Sequence, residues 1–116
     1  MQNGMDHAMK AYAASSAHRS LREQEAEVFR RATAALRRGR DGGPVVQVRA
    51  LADNARLWGT VIDLMQDPQN ALPPPLRASI VSLGLAVQRE MQSGVPDFDF
   101  LIGVNEDIAA GLAGNA

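Results

Sequence analysis

Residues 44–66, PVVQVRALADNARLWGTVIDLMQ, decide how this chain is read. Val48, Leu51, Ala55, Trp58, Ile62 and Met65 recur at helical spacing and form one apolar stripe. Leu57, Val61 and Leu64 form a second stripe, displaced by about 100° around the helix axis. A helix with two apolar stripes touches neighbours on two sides, so this one is expected at the centre of a bundle. Pro44 suits its first turn, where a missing amide costs nothing, and Asp67-Pro68 ends it. Asn54 is out of pattern, a polar amide beside Leu57 and Trp58.

The flanks repeat the same grammar. After Asp67, the sequence Gln69-Asn70-Ala71-Leu72 leads into Pro73, Pro74 and Pro75, which rigidify a loop and open the next helix. Leu76 to Gln92 is predicted as that helix, with Leu76, Ile80, Leu83, Val87 and Met91 on one stripe and Val81 and Leu85 beside it. Gly94-Val95-Pro96 closes it, and Asp97 can cap a last helix carrying Phe98, Leu101, Ile102, Ile108 and Leu112. Asn105 falls in the middle of that last stripe. Toward the N-terminus, Gly39 and Asp41-Gly42-Gly43 stop a helix that opens at Ser20-Leu21-Arg22-Glu23, a capping-box pattern. Its inward stripe is Leu21, Val28, Phe29, Ala32 and Leu36, with arginines opposite. A short helix over Asp6 to Ser15, with Met5, Met9 and Tyr12 at helical spacing, precedes it. The expected fold is all-α: one domain over residues 1–116, a compact bundle of four main helices plus a short N-terminal one. The ends, about 1–5 and 113–116, are expected to fray.

Composition agrees. The 116 residues include nineteen alanines and eleven arginines, and no stretch alternates apolar with polar long enough for a half-buried strand. Net charge is −1, which gives no overall pull toward nucleic acid or an anionic membrane. That mean hides an excess of cations in residues 1–40 and of anions in residues 41–116. No apolar run approaches the roughly 20 residues a membrane helix needs. With no basic-then-apolar leader, the chain is expected to be soluble and cytoplasmic.

Catalytic chemistry finds little to work with. The absence of cysteine removes disulfides, thiolate metal ligands and thiol nucleophiles together. His7 and His18 are the only imidazoles and cannot form an i,i+4 metal pair. Ser16 and Ser20 flank His18 with no nucleophile motif around them, and Ser20 is accounted for as a cap. The glycines from 39 to 43 have no following Lys-Ser/Thr, so they form a turn and not a phosphate cradle. Asp97 and Asp99 favour a helix start, and Glu106 and Asp107 read as a solvated face. The reading is a non-enzymatic protein without a cofactor or metal. Arg19, Arg22, Arg30, Arg31, Arg37, Arg38 and Arg40 crowd into one segment. They form either a solvated face, paired with the acidic C-terminal part, or a phosphate-binding surface of which Arg30, Arg31, Arg37 and Arg38 are the candidates. Phe29, the aromatic residue among them, belongs to the apolar stripe, so a base-stacking platform is not in view.

An ordered series of short motifs then carries a resemblance. Asn54-Ala55-Arg56-Leu57-Trp58, Asp63-Leu64, Asn70-Ala71-Leu72-Pro73 and Leu76-Arg77-Ala78 resemble, in order and spacing, the N-x-x-L-W, D-L, N-x-L-P and L-R-A elements of the FlaF family of flagellar biosynthesis regulators. Ser82-Leu83, the run Leu101 to Asn105, and Gly111-Leu112 look like its C-terminal part, and Tyr12, Glu25, Phe29, Thr33 and Leu36 like its N-terminal elements. Ala26, Ala86 and Gly103 depart from it, the first two where an aromatic is expected and the last where an acid is. The resemblance implies a small cytoplasmic helical protein of flagellated alphaproteobacteria. Such a protein promotes flagellin production and filament assembly after transcription, opposes a regulator called FlbT, and binds flagellin in a chaperone-like way.

On that basis flagellin is the expected partner, through a helix-in-groove contact. An FlbT-type regulator, a second copy, and flagellin messenger RNA are the alternatives. Asn54, Leu57, Trp58, Leu72 and Asn105 are the candidate partner-binding residues, and for each the competing reading is core packing. For the two asparagines that reading is a cross-helix hydrogen bond.

Overall fold

Glycine, proline and aspartate place the helix boundaries. The structure, a computed structural model, describes residues 26–112. Among these residues there are four helices and no strand: α1 over residues 26–40, α2 over Pro44–Gln66, α3 over Pro74–Met91 and α4 over Phe98–Leu112. The short N-terminal helix, the Ser20 cap and both histidines lie outside the described residues.

Between α1 and α2 the chain reverses through a tight turn. The Gly42 amide donates to the Gly39 carbonyl at 3.1 Å, Gly43 is extended, and Pro44 opens α2. α1 runs through Gly39, past the point where that residue was expected to stop it. Gly39 serves instead as a contact point of three helices. A Cβ there would lie 3.2 Å from both the Ala50 Cβ of α2 and the Phe98 ring of α4.

The α2–α3 loop is braced from both ends. Asn70 donates from Nδ2 to the Leu64 carbonyl at 2.8 Å and accepts the Leu72 amide on Oδ1 at 2.9 Å. Arg77, in the first turns of α3, reaches back to the carbonyls of Leu72, Met65 and Asp67 at 3.1, 3.4 and 3.3 Å. One guanidinium thus serves the Met65 and Asp67 carbonyls at the end of α2, which have no intrahelical partner and carry partial negative charge, together with the loop carbonyl of Leu72. Pro74 and Pro75 lie inside the first turn of α3, which therefore starts two residues before the expected Leu76. At the next junction Asp97 caps α4 as expected, its Oδ1 accepting the Phe100 amide at 3.0 Å.

The core joins Phe29 and Leu36 of α1, Ala50, Trp58 and Val61 of α2, Val87 of α3, and Leu101, Ile102 and Val104 of α4. Phe29 meets Trp58 edge to face, with ring centres 5.9 Å apart. Gly84 lets α3 close on α2, since a Cβ there would lie 2.9 Å from Ile62 Cγ1 and 3.0 Å from the Trp58 ring.

The expected stripes of α2 need correction. Trp58, Ile62 and Val61 are buried, but Val48, Ala55 and Leu64 are exposed, and Ala50 and Asn54 take inward positions. Two local contacts account for the difference. Ala50 abuts Gly39, and Asn54 finds hydrogen-bond partners inside, so an amide occupies a position that apolar periodicity reserves for hydrocarbon. Val28, Leu76 and Leu85, also placed on or beside stripes, are exposed.

Candidate functional site

Two features stand out, one sealed and one open. The sealed one is a chain of polar side chains through the core. Trp58 donates from Nε1 to Asn105 Oδ1 at 2.8 Å, Asn105 donates from Nδ2 to Asn54 Oδ1 at 2.7 Å, and Asn54 donates from Nδ2 to Met91 Sδ at 3.3 Å. Trp58, Asn54 and Asn105 all have 0% exposure, so no partner reaches them without the helices parting. Spacing explains the geometry. Asn54 and Trp58 are one turn apart and share a face of α2, so the Asn105 amide can lie between them and serve both. No buried side-chain nitrogen or oxygen among the described residues lacks a partner. The series ties α2 to α4 and to α3 and fixes their register, because sliding any helix by a residue would orphan buried groups.

The open feature is a groove of about 620 Å³ between α1 and α2. Val28, Ala32, Ala34 and Ala35 form the α1 side, and Leu57 and Thr60 belong to α2. Arg31 and Arg38 stand on one rim, Asp53 and Arg56 on the other. Alanines keep the floor low, so the groove is a consequence of small residues on α1 facing the 53-56-57-60 face of α2. It runs over about ten residues of α1, roughly 15 Å at the helical rise per residue.

Of the residues singled out from sequence, Leu57 lines this groove and also packs on the core. Asn54, Trp58 and Asn105 are interior, and Leu72 is half-buried in the α2–α3 loop. Arg31 and Arg38 stand at the groove, whereas Arg30 and Arg37 do not line it. The groove residues that sequence reading missed are Ala34, Ala35, Asp53, Arg56 and Thr60. Nothing in either helix alone marks them; the signal exists only once α1 and α2 are known to lie side by side.

The arginine-rich helix is extensively paired within the chain. Arg37 bonds Glu106 at 2.9 Å and Arg40 bonds Asp99 at 2.7 Å, joining the basic helix to acidic α4. Arg30 and Arg31 both meet Glu27, at 3.1 and 3.4 Å. The hydrogen bond from Arg30, more than any other cause, holds the Glu27 carboxyl below its ordinary pKa, with Arg31 adding to it. The Asp99 hydrogen bond and charge likewise raise Arg40. These pairs are exposed, so they guide register more than they add stability.

Among the described residues no cluster of three His, Asp or Glu side chains could hold a metal ion, and no helix is long and apolar enough to cross a membrane. The class so defined is a small all-α domain, latched internally by amides and presenting an open interhelical groove. The chain belongs to the FlaF family: the family model described as "Flagellar protein FlaF" matches residues 8–112, nearly its whole length. It is thus a flagellar protein, of a family not known for enzymes. No curated protein and no solved structure matches the chain. The motif residues on which the resemblance rests fall on structural devices: Asn54, Trp58 and Asn105 on the buried latch, Asn70 and Arg77 on the loop brace.

Proposed function

We propose that this FlaF-family chain is a cytoplasmic, non-enzymatic regulator that promotes flagellin production and filament assembly by binding flagellin as a chaperone-like partner. The observation that carries this reading is the open α1–α2 groove, apolar along its floor and about 15 Å long, on a chain of a flagellar family. Flagellin held before export needs its amphipathic helices covered, and an interhelical groove suits one such helix laid along it. Of the sequence candidates Leu57 is the groove contact, because Trp58, Asn54 and Asn105 are already satisfied inside and Leu72 lies in the α2–α3 loop outside the groove lining. Direct action on flagellin messenger RNA is the less favoured reading. Arg30, Arg31 and Arg37 already have carboxylate partners, which leaves less basic surface for phosphates.

Size exclusion with light scattering, on the chain mixed with monomeric flagellin at low and high salt, tests the proposal. A 1:1 complex at both salt concentrations is expected, since apolar contact outlasts screening. Two separate species at both concentrations would contradict it, and an FlbT-type regulator or the flagellin transcript would then be the partner to try.

A further inference from the structure

We infer that the α1–α2 groove selects an amphipathic helix carrying a carboxylate, which pairs with Arg38 at the rim while the helix's small apolar residues lie on Ala32, Ala34 and Leu57. The inference rests on the flagellin-binding reading and says which kind of flagellin segment the groove takes.

Three observations carry it. The first is shape: the groove is bounded by two helices, and the α2 residues Asp53, Arg56, Leu57 and Thr60 recur at i, i+3, i+4 and i+7, a straight wall along which a third helix can lie. The alanines opposite let a backbone approach closely but offer no convergent polar groups of the kind that orient a small molecule. The second is charge. Three arginines and one aspartate line the groove, so it carries a net positive rim on a chain whose net charge is −1. Asp53 is held by Arg56 at 2.8 Å, and Arg31 by Glu27. Arg38 makes no ion pair among the described residues, although its neighbours Arg37 and Arg40 both do. The third is position. Arg38 stands at the end of the groove nearest the α1–α2 turn, so a carboxylate bound there would fix the register of the docked helix as well as its charge. A guanidinium suits this role, because its planar fork meets a carboxylate through two hydrogen bonds. An RNA strand is not favoured by the same surface: the floor is aliphatic and offers no ring for a base to stack on.

The test measures affinity for monomeric flagellin in the full chain and four variants: Arg38→Gln, Arg38→Glu, Ala34→Phe and Arg89→Gln. Arg89 is an exposed cation of α3 that does not line the groove and serves as the control. Each variant is first checked for an unchanged circular-dichroism melt. Arg38→Gln is expected to weaken binding about 5-fold and Arg38→Glu about 50-fold, as for a charge pair partly desolvated on docking. Ala34→Phe, which plugs the groove, should abolish binding, and Arg89→Gln should leave it unchanged. Added salt should bring the parent chain down to the level of Arg38→Gln.

Loss with Ala34→Phe but not with Arg38→Glu would overturn the carboxylate while keeping the groove. Unchanged binding by both would overturn the whole inference and leave flagellin binding standing on another surface. If the unaltered chain binds no flagellin, the functional reading fails first and the inference with it. Doubled mass of the chain alone, reduced to monomer by Ala34→Phe, would assign the groove to a second copy and overturn the inference on that ground.

Discussion

Trp58→Ala is expected to unfold the chain, not merely to weaken its contacts. The ring has no exposure and packs against Phe29, Ile62 and the bare backbone of Gly84. Truncating a buried aromatic costs about 3–5 kcal/mol, because the cavity collapses only in part. The lost N–H also leaves Asn105 Oδ1 without its donor, at about 1–3 kcal/mol more. A domain of this size holds only about 5–15 kcal/mol in total, so most of its stability would be gone. Far-ultraviolet circular dichroism against urea measures the loss without needing the tryptophan as reporter. Trp58→Phe keeps a six-membered ring in the core but removes the donor and the pyrrole part of the indole, so a smaller loss than that of Trp58→Ala is expected, about 2–4 kcal/mol. A Trp58→Ala chain that melts like its parent, yet no longer binds a partner, would show that the ring is a contact and not core.

Asn105→Leu is the second large effect, although a hydrophobicity scale would score it as an improvement. Leucine fills the space, but the Trp58 N–H and Asn54 Oδ1 then face hydrocarbon. Each orphaned group costs about 1–3 kcal/mol, so a loss of about 2–5 kcal/mol is expected. The coupling is testable within the chain. In a Trp58→Phe background the donor is already absent, so Asn105→Leu should be less harmful there than in the parent, by about 1 kcal/mol or more. Additive losses in urea titrations of the four chains would contradict the bonded series through the core.

Much of the fold was legible in the sequence, for identifiable reasons. Pro44, Asp67-Pro68, the prolines from 73 to 75 and Asp97 are strong local signals, and the helices begin and end within a few residues of them. Asn54 and Asn105 could be flagged as amides on apolar stripes, because a polar residue there needs a partner. Which partner was not legible, since residues 51 positions apart meet only through the packing of α2 on α4. The same limit hid Gly84. Inside a helix, glycine reads as a weak point until the neighbouring Ile62 and Trp58 show why no larger residue fits. Periodicity extends the α2 stripe to Val48 and Ala55, which are exposed, because it counts hydrocarbon and cannot see that Asn54 is satisfied inside. Arg77 and Asn70 belonged to a recognisable motif, but their work as a loop brace appears only in the structure. The groove was least legible of all. Val28, Ala32 and Leu57 read as inward stripe residues, and the alanines and polar residues beside them are ones that each helix, taken singly, would assign to its solvent face.

On the proposed function, the chain divides into a latched interior and a groove that receives flagellin. Amide hydrogen exchange, followed on the full chain with and without monomeric flagellin, tests that division most directly. In the free chain, amides around Trp58, Val87 and Asn105 should already be the slowest, since core elements open only with global unfolding. On adding flagellin, new protection should appear along residues 28–38 and 53–60 and nowhere more strongly. Faster exchange around Trp58 and Asn105 on binding, or new protection confined to α3 and the α2–α3 loop, would show that the helices part or that another face is used. Either result would contradict the account.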